Sequence, residues 1–112
     1  MTYEEIVERV RNVYENADAR EIYEHIAIQV NLVGQGSGIF YIEVAERNIC
    51  VEPYDYYDHD ALIVTDGEMV CELSEGKTTY EQAVASGRFY VEGNMDKVNK
   101  LRAIIAKKIR KQ

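Results

Sequence analysis

The spacing of hydrophobic positions changes several times along the chain, and each change marks an element. Ile6, Val7, Val10, Val13 and Tyr14 recur at three- and four-residue intervals behind Thr2 and Glu5, whose spacing is that of a capping box. This predicts an amphipathic helix over residues 3–16. Asp18 and Glu21 repeat the start signal ahead of Ile22 and Tyr23, predicting a second, short helix ending near His25. The period then drops to two. Ile26, Ile28, Val30 and Leu32 alternate with Ala27, Gln29, Asn31 and Val33, as in a strand with one buried face. GQGSG (34–38) is its turn, residues 39–46 bring Phe40, Ile42 and Val44 to one face, and residues 48–54 form a third strand. Pro53 cannot donate to a ladder, which places that end at a sheet edge. ALIVT (61–65) is apolar on both faces and belongs inside the sheet.

Asp66 is placed to cap a short helix carrying Met69, Val70 and Leu73, which Gly76 closes in a left-handed conformation. Thr79 and Gln82 form another capping box ahead of Tyr80, Ala83 and Val84, and Gly87 stops that helix. Residues 88–92 are the last strand. A helix follows from Met95 to about Arg110, with Met95, Val98, Leu101, Ile105 and Ile109 on its apolar face. The element order describes one α+β domain whose mostly antiparallel sheet is covered by helices on one face.

Composition narrows the class. With 112 residues and 46% hydrophobic side chains the chain can hold a real core but no second domain. It has no apolar run near the roughly 18 residues of a spanning helix and no signal-peptide pattern, so a soluble, cytoplasmic protein is expected. Cys50 and Cys71 read as buried free thiols. The net charge of −7 opposes unspecific nucleic-acid binding. Residues 94–112 nevertheless carry seven basic side chains against Asp96 alone. These cations suit the C-terminal end of a helix dipole, or weak contact with an anionic membrane. On a helical wheel Lys97, Lys100, Lys107, Lys108 and Lys111 share one arc around Ile104.

Candidate chemistry is sparse. GQGSG lacks the third glycine of a dinucleotide loop, where Ile39 stands, and the flanking glycines of a nucleophile elbow. DYYDHD (55–60) groups three aspartates with His59, donors that suit a divalent ion, but without the glycine and distal Glu of a calcium loop, and a solvated connection is the plainer reading. No metal or other cofactor is assigned. His25 reads as a partner of its helix C-terminus. No local pairing supports a nucleophile and base, so a non-catalytic protein is expected. Tyr54, Tyr56 and Tyr57 either pack under a loop or form the lip of a pocket for an amphipathic ligand.

Residues 60–101 resemble the sterol carrier protein 2 family of lipid-binding domains. The resemblance lies in a strand ending at Asp66, an apolar helix reaching Leu73, the Gly76-Lys77 pair, a short helix with Ala83 ending at Gly87, the strand to Gly93, and Leu101 in the last helix. Tyrosines and acids at 54–60 depart from the family pattern, and the ending Arg110-Lys111-Gln112 is not a peroxisomal address. The resemblance implies a five-stranded sheet with an apolar cleft under its helices for a fatty acid, acyl-CoA or sterol-like lipid. Candidate cleft residues are Ile28, Val30, Phe40, Ile42, Val64, Phe89 and Val91 on the sheet, facing Met69, Leu73, Val84, Leu101 and Ile105 on helices. For each of them ordinary core is the plainer reading. The alternative function is a cavity-poor module of the same fold that serves a partner enzyme.

Overall fold

In the computed structural model, which describes residues 1–110, α1 (Tyr3–Tyr14) begins at the expected capping box. The Thr2 hydroxyl accepts the Glu5 amide and the Glu5 carboxylate accepts the Thr2 amide. Strands β1 (Ile26–Val33), β2 (Gly38–Ala45) and β3 (Asn48–Glu52) follow, then β4 (Ala61–Asp66), α2 (Gly67–Ser74), α3 (Tyr80–Ala85), β5 (Phe89–Gly93) and α4 (Met95–Arg110). Asp66 caps α2 through the Met69 amide. The Lys77 amide returns to the Glu72 carbonyl and the Gly76 amide to that of Leu73, with Gly76 at φ +79°. These bonds form the Schellman closure, which favours glycine at that position. Thr79 and Gln82 box the start of α3.

The sheet is ordered β3-β2-β1-β4-β5. All neighbours run antiparallel except β1 and β4, which are parallel. As expected, β3 and its following Pro53 lie at an edge, and β4 lies inside. One face carries Ile26, Ile28, Val30 and Leu32, with Ile28 opposite Ile42 and Val30 opposite Phe40. Helix α1 packs Ile6, Val7 and Val10 into the same core cluster and lies over the β3–β2 side of the sheet. Val98 and Leu101 of α4 join that cluster. A second cluster, Met69, Ala83 and Phe89 with Leu73, Tyr80 and Val91 packed against it, lies toward β5. Ile63 touches both.

The helix expected between Asp18 and His25 does not form. The Asp18 carboxylate accepts the amide of Arg20, two residues on, and forks to its guanidinium. A cap would have bound the Glu21 amide three residues on, and such local bonds compete with helix initiation. Residues 15–25 instead run as turns that still bury Ala19 and Ile22. His25 therefore ends no helix; its Nε2 lies 2.6 Å from Glu43 Oε2.

Gly93 ends β5 at φ +111°, and a Cβ there would stand 2.5 Å from the Asp60 carbonyl oxygen and 2.7 Å from Ala61 Cα. The backbone of the adjoining segment 60–61 leaves no room for a side chain. Gly93→Ala is expected to destabilise by about 1–3 kcal/mol, read from urea melts; no change in the midpoint would show that the β4–β5 pairing can yield.

Two arginines tie distant elements to carboxylates. Arg88 forks to Asp66 at 2.8 and 2.9 Å, and Arg9 Nε binds Glu75 at 2.9 Å. These guanidiniums hold the Asp66 and Glu75 carboxyls below the ordinary range. A lowered folded pKa gives stability that is complete above the unfolded value and is lost as pH falls through the folded one. The melting temperature should hold from about pH 8 to 5 as far as these groups decide it, then fall below about pH 4. A flat profile to about pH 2.5 would remove both pairs from the stability account. Among the described residues no helix is long and apolar enough to cross a membrane.

Candidate functional site

The second apolar cluster does not close over. Between α3, β5 and α4 it opens into a groove of about 490 Å³, walled by Tyr80 and Val84 of α3, Phe89 and Val91 of β5, and Arg102 of α4, with Glu81 and Tyr90 at its sides. The elements put these side chains there for simple reasons. Phe89 and Val91 are alternate residues of an edge strand, opposite Thr65 and Ile63, and so point to the helix-covered face. Val84 follows Tyr80 by one helical turn, which brings both to one side of α3. Val84 is 46% exposed, a large apolar residue facing open space.

The twelve candidate cleft residues separate into groups. Val84, Phe89 and Val91 line the groove, and Met69 and Leu73 pack with Phe89 in the cluster beneath it. Ile28, Val30, Phe40 and Ile42 lie elsewhere, under α1. Their exposures of 0–2% leave no space beside them for even a water molecule, so they form filled core. Leu101 and Ile105 are buried on the inner side of α4. Val64 is a correction. It pairs with Asn31 and Tyr90, which puts it on the opposite, uncovered face of the sheet. In a run apolar on both faces, alternation does not say which residues point inward; here pairing with β1 selects Ala61, Ile63 and Thr65.

Arg102 and Glu81 are groove residues that hydrophobic patterning passed over, and Tyr80 stood in the apolar stripe of α3 without being named for the cleft; Arg102 nevertheless carried a signal. Counting 100° per residue from Lys97, it stands at about 140°, inside the apolar arc of about 40–160°. It is the charged residue on the buried side of α4. Its guanidinium carbon lies 3.8 Å from the Tyr80 ring centroid, Nη1 donates to Asn99 Oδ1 at 3.0 Å, and Nη2 donates to Glu81 Oε1 at 3.1 Å.

Other candidate features serve the fold. In DYYDHD the side chains do not converge on a common point, and no group of three or more His, Cys, Asp or Glu among the described residues is placed to hold a metal. Asp60 accepts the Ala27 amide at 2.8 Å and binds Lys97 Nζ at 3.0 Å, while His59 Nδ1 meets the Tyr56 carbonyl. Tyr56 packs edge-on to Tyr41 over the uncovered sheet face, its amide on Gln29 and its hydroxyl on Glu43. That bond to Glu43, with partial burial, raises the Tyr56 phenol to about 12. None of the three tyrosines lines the groove. Cys50 and Cys71 are free thiols, Cys50 half-buried and Cys71 buried. Burial, with Glu43 and Glu52 beside it, pushes the Cys50 thiol up to about 11, which keeps it protonated and unreactive.

The lysine arc is partly spent on internal pairs. Lys97 binds Asp60 and Lys100 binds Glu24. Lys111 lies outside the described residues. Ile104, at the centre of that arc, packs against the main core and, with Ile22, floors a second groove of about 500 Å³ beneath residues 18–24.

Searching the curated proteins finds no match. Solved structures do resemble this fold. A UbiJ-SCP2 ubiquinone synthesis protein superposes with a TM-score of 0.70 at 17% identity, covering 93% of this chain and 92% of that one. The solution structure of sterol carrier protein-2 from Aedes aegypti, in complex with the C16 fatty acid palmitate, gives 0.63 at 14% identity over 95% and 96%. The sec-alkylsulfatase Pisa1 from Pseudomonas sp. gives 0.62 at 6% identity, covering 88% of this chain but 14% of that one. At these identities the likeness concerns the fold alone. The sequence itself matches the model of the SCP-2 sterol transfer family over residues 4–106, and the chain belongs to that family.

Proposed function

We propose that this protein binds or carries a hydrophobic ligand, of the fatty acid, acyl-CoA or sterol-like kind, in the open groove between α3, β5 and α4, and that it acts as a binder rather than a catalyst. The observation that carries this reading is the apolar wall of exposed Val84, half-buried Val91 and buried Phe89 around a space of about 490 Å³, within the roughly 300–1,000 Å³ of small-molecule sites. Each methylene buried there contributes about 0.8 kcal/mol, so a modest contact length reaches micromolar affinity. Membership of a sterol transfer family and the palmitate complex of a structural neighbour support the ligand class.

The test combines native mass spectrometry of freshly purified protein with titration of a fluorescent acyl probe. Copurifying lipid is expected. Val84→Trp should fill the groove and weaken the probe at least tenfold, while changing the melting temperature by no more than a few degrees, because the side chain is half exposed and displaces no packed neighbour. Absence of any bound lipid, with the probe indifferent to Val84→Trp, would favour the second reading, a cavity-poor module serving a partner enzyme. That reading draws on the filled core under α1 and on the ubiquinone synthesis neighbour.

The proposed contact with anionic membranes now rests on fewer groups, since Lys97 and Lys100 are paired and Lys107 and Lys108 carry it among the described residues. At about 1 kcal/mol per nearby cation, the expected result is cosedimentation with anionic vesicles at low salt only, lost in a Lys107→Glu, Lys108→Glu variant. Equal sedimentation of both proteins would leave these lysines as solubilising charges.

A further inference from the structure

The groove's charged residues are Arg102 and Glu81, and they face each other. A guanidinium has five N–H donors in a planar fork. Asn99 and Glu81 take one each, so most of the Arg102 donor edge remains at the rim of an apolar slot. Stacking on Tyr80 holds the plane of the cation in place and leaves that edge available. The Glu81 side chain is 75% exposed, and so exposed an ion pair is held weakly.

We propose that the groove is selective for single-chain amphiphiles with a carboxylate head, that Arg102 reads this head, and that Glu81 is an internal competitor occupying Arg102 when no ligand is bound. This rests on the groove being the binding site, as proposed above. The chain of the ligand lies along Val84, Phe89 and Val91. Its carboxylate takes the place of the Glu81 carboxylate on the same guanidinium, exchanging an exposed single contact for a bidentate one beside an apolar wall. A neutral head of equal chain length has no charge to exchange and leaves the Arg102–Glu81 pair as it stands. Affinity for acids should therefore depend on both residues, in opposite directions, and affinity for alcohols on neither.

The experiment measures displacement of Nile red, a neutral apolar dye, by dodecanoate and by 1-dodecanol at pH 7.5, where the acid is ionised. Wild type, Arg102→Gln, Glu81→Gln and Val84→Trp are compared, with melting temperatures confirming that each is folded. Arg102→Gln is expected to weaken dodecanoate at least tenfold and to change dodecanol less than threefold. Glu81→Gln should strengthen dodecanoate three- to tenfold and leave dodecanol unchanged. The selectivity proposal is overturned if both ligands respond alike to Arg102→Gln, or if Glu81→Gln leaves the acid-to-alcohol ratio where it was. If neither ligand displaces the dye, or Val84→Trp binds both as well as wild type does, the groove itself is not the site and both proposals fall together. Because Glu81 is exposed and its amide variant keeps the helix propensity of the position, that arm decides the question even if Arg102→Gln loses stability.

Discussion

Phe40→Ala is expected to lower stability by about 3–5 kcal/mol, a large part of the 5–15 kcal/mol typical of a small domain. Phe40 is fully buried on β2 opposite Val30, in the cluster that includes Ile6 and Val10 of α1. Nothing beside it is loose enough to fill the space its ring would leave. Urea denaturation followed by circular dichroism reads the loss directly. The molecules that remain folded should keep the wild-type affinity for an acyl probe within about threefold, since the groove lies on the far side of β4 and β1. This is the reverse of what Val84→Trp should do, where binding goes and stability stays. A cost under about 1 kcal/mol, with acyl binding weakened in step, would mean that the sheet centre behaves as a cavity wall after all. The ligand would then have to be sought beneath α1.

Asp60→Ala is expected to cost about 2–3 kcal/mol. The carboxylate is partly buried and makes two bonds that nothing else replaces: it accepts the Ala27 amide at the start of β1 and it pairs with Lys97 in the first turns of α4. Burial works against its charged form, but the Ala27 amide and Lys97 outweigh that, and its carboxyl lies below the ordinary range. Its contribution is therefore complete above the unfolded carboxylate value of about 4 and disappears as pH falls through the lower folded one. The difference between wild type and Asp60→Ala should be largest at about pH 6–8 and shrink toward about pH 2. Asp60→Asn keeps an acceptor for Ala27 but loses the charge, so it should recover about half the loss. Thermal melts of the three proteins across this range check the size and the sign together. A gap that stays constant with pH would show that the charge of Asp60 contributes nothing, through either the Ala27 amide or Lys97. The same substitution frees one anchor of α4, the helix that carries Arg102.

The elements were legible in the sequence where the deciding interactions span five residues or fewer. The Thr2/Glu5 and Thr79/Gln82 boxes, the Asp66 cap and the Gly76 closure all form between the residues that signal them. Strands β1 and β2 were equally readable, because one face of each is buried and the other, fully buried Ala27 apart, is not, and alternation records that difference. The family resemblance over residues 60–101 covers the helix–helix–strand stretch that frames the groove, so the neighbourhood of the proposed site was legible too.

What tertiary structure alone decided depends on partners far away in the chain. Asp18 has the spacing of a cap, yet it spends its carboxylate on Arg20, and the segment is held as turns over Ile104. Val64 and Ile63 are both β-branched and apolar, and only the register with β1 turns one outward and the other inward. Lysines that share an arc on a wheel divide into those that meet Asp60 and Glu24 and those that do not. Above all, hydrophobic pattern measures how much a residue prefers to leave water, and that preference is the same for a wall of packed core and a wall of open groove. Whether Ile28 or Val84 faces empty space was set by what packs against each: the main core closes over the first, and the gap between α3 and α4 leaves the second open.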